Sequence, residues 1–254
     1  MKTLEKHGEK NFAKKNLGQH FLKDQSIIQK IIQSIDPNLI ENIVEVGPGP
    51  GALTNELKMI KKPMTIIERD DRFVTKWLEF KNEDFQIVAE DALAVNYHQL
   101  INQKKTWLVS NLPYNISTPL TRIFLEIPSI HYMTLMYQKE VAERIVGRGG
   151  MNSLHFLLSS HFKLTWVTTV KPGAFHPPPK VDSAVILFER LENPLFPLSI
   201  LDSVELFSRK LFSMPRKQIK NATPEVFKSG KFNHLAQLRA EKLCANNVLE
   251  LYYA

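Results

Sequence analysis

The sequence predicts an α/β fold: a mostly parallel sheet with helices on both faces, an antiparallel edge pair, and a small all-helical C-terminal domain. Three observations carry this. Short apolar runs at 43–46, 65–67, 86–88, 107–109 and 133–137 alternate with segments long enough for helices, the pattern of parallel strands joined by helical crossovers. After Gly149 and Gly150, two longer runs at 162–170 and 181–188 flank residues 171–180, whose four prolines exclude a helix, so the runs pair antiparallel. From about Leu191 the β-branched runs give way to helical spacing, at Val204, Phe207 and Leu211 and again at Leu235, Leu238 and Leu243.

In chain order, residues 1–15 are a basic arm carrying Lys2, Lys6, Lys10, Lys14 and Lys15. Asp24 is placed to cap a helix whose Ile27, Ile28, Ile31, Ile32 and Ile35 form one apolar stripe, ending before Pro37. The sheet domain is expected over 16–190 and the helical domain over 191–254, with Asn193, Pro194 and Pro197 at the junction.

Composition narrows the function. Thirty-three Lys and Arg against 26 Asp and Glu give a net charge of +7, which favours polyanionic partners such as nucleic acid. Cys244 is the only cysteine, so internal disulfides and multi-cysteine zinc sites are excluded, and no His/Asp/Glu cluster has metal-ligand spacing. No metal is expected. No apolar run reaches the roughly 18 residues of a membrane span, and the lysine-rich N-terminus lacks the apolar centre of a secretory signal, so the expected location is the cytoplasm.

Four motifs carry chemistry, each at the end of a predicted strand. Val46-Gly47-Pro48-Gly49-Pro50-Gly51 is a glycine-rich turn between strand and helix, where a ligand can approach the backbone; its spacing is G-x-G-x-G, not the G-x-G-x-x-G of dinucleotide binders. Glu68 follows the second strand, 21 positions after Gly47, where an acid can accept hydrogen bonds from the hydroxyls of an adenosine ribose. Asp91 follows the third and suits the adenine amino group, or a helix cap. Asn111-Leu112-Pro113-Tyr114 follows the fourth. Its residues fit one task, methylation of an amine conjugated to an aromatic ring: the Asn111 side-chain carbonyl and the Leu112 backbone carbonyl accept the amine hydrogens, Pro113 stiffens the turn, and Tyr114 offers a face for the base.

With these motifs the sequence resembles the ribosomal RNA adenine dimethyltransferases, and more narrowly their bacterial small-subunit branch. The resemblance also rests on Lys15-Asn16-Leu17-Gly18-Gln19-His20-Phe21-Leu22, on Gln138-Lys139-Glu140-Val141-Ala142 and on Phe175-His176-Pro177-Pro178-Pro179-Lys180-Val181-Asp182-Ser183-Ala184, with an echo at residues 216–221. It implies a Rossmann-like methyltransferase domain, S-adenosyl-L-methionine as cofactor, and as acceptors two adjacent adenosines near the 3′ end of 16S ribosomal RNA in the immature 30S subunit. It further implies that His20, Leu22, Gly47, Gly49, Gly51, Glu68, Asp91 and Asn111 hold the cofactor, and that Phe175 faces Tyr114 across the target base.

Two departures from the family pattern bear on RNA docking: Gly149–Leu154 replaces a Tyr-Gly-Arg-Leu-Ser-type segment, and Pro215 precedes Arg216-Lys217 where relatives carry paired arginines. Competing readings are a 23S ribosomal RNA methyltransferase of the macrolide-resistance type, a nicotinamide dehydrogenase, which would leave Asn111–Tyr114 without a role, and an assembly factor that clamps an immature subunit. A monomer is expected.

Overall fold

A computed structural model describes residues 19–214 and 216–254; the basic arm, residues 15–18 of the N-terminal motif and Pro215 lie outside them. The described residues begin with β1 (Phe21–Leu22) and α1 (Gln25–Ile32), then run through β2 (Asn42–Val46), α2 (Thr54–Lys58), β3 (Met64–Glu68), α3 (Asp71–Leu78), β4 (Phe85–Ala89) and α4 (Tyr97–Ile101). They continue as β5 (Thr106–Asn111), α5 (Ser117–Leu125), β6 (Ile130–Gln138), α6 (Lys139–Ile145), α7 (Ser153–Ser159), β7 (Phe162–Val170), β8 (Phe175–His176) and β9 (Ser183–Arg190), and end with α8 (Leu201–Leu211) and α9 (Ala245–Tyr252).

The main sheet has the order β4-β3-β2-β5-β6-β9-β7. The first five strands are parallel, and β9 lies antiparallel between β6 and β7. The edge pair is therefore as read from the sequence, with β9 alone running against the rest. Side chains alternate across each strand, so Val44, Val46 and Leu108 enter one core while Ile43, Trp107 and Val109 enter another on the opposite face. The first core continues without a break into the C-terminal segment through Val204, Leu211, Leu235, Val248 and Leu251.

Local chemistry sets the element ends. Asp24 caps α1, its Oδ1 accepting from Ser26 N at 2.9 Å and Ile27 N at 3.3 Å. The apolar residues Leu235, Leu238 and Leu243 do not share a helix. Their segment is a run of turns ending in one 3-10 turn, Ala240–Lys242, because backbone groups that would bond within a helix pair across the segment: Ile219 N donates to Leu238 O at 2.9 Å. Residues 171–180 likewise hold one 3-10 turn, Pro172–Ala174, which tolerates Pro172 because a first-turn residue needs no N–H partner.

Arg190, at the end of β9, fastens α5 to the sheet. Its Nε donates to Ile130 O at 2.7 Å and its Nη2 to Ile127 O at 2.8 Å and Leu125 O at 3.2 Å, and among the described residues no carboxylate pairs with it. Burial pushes its guanidinium down to about 10, still charged at neutral pH. A cation on the last carbonyls of a helix also meets the negative end of its dipole. Arg190→Met is expected to lower stability by about 2 kcal/mol, the scale of a charged hydrogen-bond donor, and urea denaturation of the two proteins checks it.

Candidate active site

The carboxyl ends of β2, β3, β4 and β5 lie side by side, and a cleft opens there between the turns that leave them. Gly47 begins the first turn at φ +71°, and a Cβ built on it meets nothing within 4 Å, so its backbone stands open to the cleft. Gly51 behaves differently. At φ +101° its Cβ would sit 2.6 Å from the Trp77 ring, whose Nε1 donates to Gly49 O at 3.0 Å. Expected at the ligand, Gly51 instead lets the loop lie against α3, outside the cleft lining.

Glu68 ends β3 and is buried, yet its carboxylate is well supplied with donors: Oε2 accepts from Gly49 N at 3.1 Å, and Oε1 from Arg69 N at 2.9 Å and Asp70 N at 2.8 Å. It thus clasps the glycine turn to its own strand. Burial raises its carboxyl, against the pull of these three N–H groups. Asp91 sits at the rim, where Oδ2 pairs with Arg69 at 2.7 Å and Oδ1 accepts from Leu93 N at 3.0 Å. Its neighbours Glu90 and Ala92 line the cleft and Asp91 does not.

Behind the turn lies a second acid. Glu45 is buried in β2, and among the described residues its Oε2 and the Thr54 hydroxyl have no hydrogen-bond partner. Burial, with the nearby Glu68 charge adding to it, pushes the Glu45 carboxyl up to about 8. An acid raised on folding binds a proton in the native chain that the unfolded chain has released, so its contribution to stability is full below the unfolded value and is lost as pH rises toward 8. Glu68 shifts in the same direction. Stability is expected to fall between pH 5 and pH 8 with a slope of up to about 1.4 kcal/mol per unit from Glu45. Glu45→Gln should flatten most of it, as thermal melts across that range would show.

Asn111, Leu112, Pro113 and Tyr114 all line the cleft where β5 ends. The Asn111 Nδ2 lies 2.8 Å from His20 O. A backbone carbonyl can only accept, so this contact fixes the amide: nitrogen on His20, and Oδ1 left as the free acceptor, with no hydrogen bond among the described residues. The Tyr114 ring stacks against the His20 imidazole at 5.8 Å between centroids and 27° between planes. Its hydroxyl meets the Ser183 Oγ at 2.6 Å, and His20 Nδ1 meets Pro177 O at 2.9 Å.

Of the residues singled out in the sequence, the cleft gathers His20, Gly47, Gly49, Glu68 and the Asn111–Tyr114 run and leaves out Leu22 and Phe175 as well as Gly51 and Asp91. Leu22 and Phe175 are register partners in the β1–β8 pair, and both side chains are buried in the apolar core on the α1 side of the sheet. Phe175 is 1% exposed, so it does not face Tyr114 across an open slot; the ring beside Tyr114 is His20. Sequence reasoning gave no role to Arg69 or Glu90, although each adjoins an acid singled out at a strand end.

A mostly parallel sheet of this order, with a glycine turn, a buried acid and an Asn-Leu-Pro-Tyr run on neighbouring strand ends, defines the class of Rossmann-like methyltransferases. The profile of a family described as ribosomal RNA adenine dimethylase matches residues 10–253. The chain belongs to that family. It is 36% identical to a ribosomal RNA small subunit methyltransferase A of Bdellovibrio bacteriovorus, over 94% of this chain and 91% of the relative, and 35% identical to one of Marinobacter nauticus, over 85% and 80%. A crystal structure of a dimethyladenosine transferase from Plasmodium falciparum superimposes with a TM-score of 0.75 at 25% identity, covering 91% of this chain and 96% of that one. The 23S rRNA methyltransferase ErmE shares the fold, with a TM-score of 0.74 at 24% identity over 92% of this chain and 98% of its own.

Proposed function

We propose that this chain dimethylates N6 of two adjacent adenosines near the 3′ end of 16S ribosomal RNA, in the immature 30S subunit, with S-adenosyl-L-methionine as methyl donor. It acts as a cytoplasmic monomer, with residues 16–190 as the catalytic domain and 191–254 as a helical domain that helps dock RNA. The observation that carries this reading is the Asn111 amide, turned by His20 O so that its oxygen is the free end, in the cleft that Tyr114 also lines.

The cleft suits the cofactor: the open backbone at Gly47 admits a close ligand, and Glu68, with three of its lone pairs engaged, keeps room to accept from a ribose. His20, Gly49 and Glu90 complete that side, and Asp91 with Arg69 stands at the rim. When bound, S-adenosyl-L-methionine supplies a methyl group activated by its sulfonium sulfur. The residues prepare the acceptor. An adenine amine is a poor nucleophile because its lone pair is delocalised into the ring; Asn111 Oδ1 and the Leu112 carbonyl, accepting its hydrogens, favour a tetrahedral nitrogen and stabilise the positive charge that grows on it. That charge makes the nitrogen's proton acidic, so it leaves without a strong base, and neither His20 nor His176 need act as one. After the first transfer one hydrogen is gone, and stacking on Tyr114, worth about 1–3 kcal/mol and indifferent to amine hydrogens, holds the base for the second.

The test is to incubate the protein and labelled S-adenosyl-L-methionine with small and large ribosomal subunits lacking the modification, then map the product by mass spectrometry. Dimethyladenosine at two adjacent positions near the 3′ end of 16S RNA is expected. Label in 23S RNA alone, or in neither, would overturn the proposal.

A further inference from the structure

The stretch Phe175–Ala184 puts no residue into the cleft lining, yet two of its atoms hold groups that line it. Pro177 O meets the His20 imidazole at 2.9 Å, and the Ser183 hydroxyl meets the Tyr114 hydroxyl at 2.6 Å. Ser183 is fully buried and opens β9, where its backbone is paired on both sides, with Gln138 of β6 and Val170 of β7. It cannot shift without moving the sheet. Tyr114 sits instead on the turn after β5, where the first side-chain torsion alone sets the direction in which the ring projects into the cleft. The tie to Ser183 holds the ring at its far end.

We propose that Ser183 is a positioning residue for adenine methylation: its hydroxyl anchors the Tyr114 phenol to β9 and so fixes the position of the ring on which the target base stacks. This rests on the reading that Tyr114 receives that base. Stacking requires the ring to stand where the base arrives; the tie at the para oxygen fixes the axis of the ring, and the His20 imidazole stacked at 5.8 Å and 27° limits its rotation about that axis. The bond also persists across the working pH range, since burial raises the phenol and keeps it neutral. The Ser of the Val-Asp-Ser-Ala run and the Tyr of the Asn-Leu-Pro-Tyr run, 69 positions apart, thereby serve one slot.

The test compares S183A, Y114F and the double variant as full-length proteins. Three readouts are used: single-turnover methylation of small subunits, calorimetric affinity for S-adenosyl-L-methionine, and quenching of 2-aminopurine placed in the RNA at a target adenosine. Each single variant should slow methylation about three- to tenfold, the worth of one hydrogen bond, with weaker quenching and unchanged cofactor affinity. The double variant should be no slower than Y114F, because Ser183 has nothing left to hold. Wild-type rates and quenching in S183A, or a double-variant loss equal to the product of the single losses, would overturn the assignment. If S183A does not fold, Y114F reads the same tie from the other side, and wild-type behaviour there would overturn it equally. Failure of the underlying reading looks different: a Tyr114→Ala protein that methylates and quenches like wild type would show that Tyr114 receives no base, and a wild-type protein that leaves the small-subunit adenosines unmodified would overturn the proposed function itself.

Discussion

Asn111→Ala is expected to slow methyl transfer about 10²–10³-fold, the range seen when a single charge-stabilising group is removed from a preorganised site. Fold and cofactor affinity should stay close to wild type. The side chain is only half-buried at the end of β5, and its hydrogen bond to His20 O, the one it makes among the described residues, can be replaced by water in the open cleft. What cannot be replaced is a fixed acceptor aimed at a nitrogen that becomes positive only in the transition state, so the loss should appear in turnover rather than binding. Asn111→Asp gives a sharper control. Aspartate keeps an acceptor but offers no N–H to His20 O, so the contact that orients the amide becomes a repulsion between two oxygens, and activity should not return. Single-turnover assays on small subunits measure both variants, and an Asn111→Ala rate within twofold of wild type would remove Asn111 from the reaction.

The parts of this site that were legible in the sequence are those fixed by backbone position. The inner strands were visible because their apolar runs are buried and bounded by turn residues, and the edge strands β4 and β7, only partly buried, still show β-branched and aromatic runs; β7 covers the predicted 162–170 and the others differ by a few residues at their ends. Once the strands are placed, the residues that follow them must lie along one edge of a parallel sheet, which is why Gly47, Glu68 and Asn111 meet. Contacts between distant segments were not legible. The β1–β8 pair is two residues long and joins positions more than 150 apart, with no periodicity to reveal it, yet it sends Leu22 and Phe175 into the core. Gly51 shows a different limit. A glycine that admits a ligand and one that admits a neighbouring tryptophan look alike in sequence, and only the placement of Trp77 separates them from each other. The C-terminal leucines misled for a simpler reason, since spacings of three and five residues fit a helical face loosely and fit a chain of turns as well.

Glu68→Ala should damage the protein twice. The carboxylate accepts from Gly49 N, Arg69 N and Asp70 N, so its removal strands backbone donors around the end of β3 and releases the glycine turn from its strand. A hydrogen bond to a charged group is worth about 1.5–3 kcal/mol, and the three are not additive, so a total loss of about 3–5 kcal/mol of stability is expected. Part is returned because burying the charge was itself unfavourable, the cause of the raised carboxyl. The second loss is affinity for S-adenosyl-L-methionine, about tenfold to a hundredfold for a charged acceptor taken from the ribose. Glu68→Gln separates the two effects. The amide oxygen can keep Arg69 N and Asp70 N, while its NH₂ then faces Gly49 N, donor against donor, so most of the stability should survive and the turn should loosen. Melting temperatures and calorimetric titrations with the cofactor distinguish these outcomes. A Glu68→Gln protein with near-native stability and weakened binding would place Glu68 at the ligand, whereas native affinity in a Glu68→Ala protein that still folds would make it a clasp for the glycine turn and nothing more.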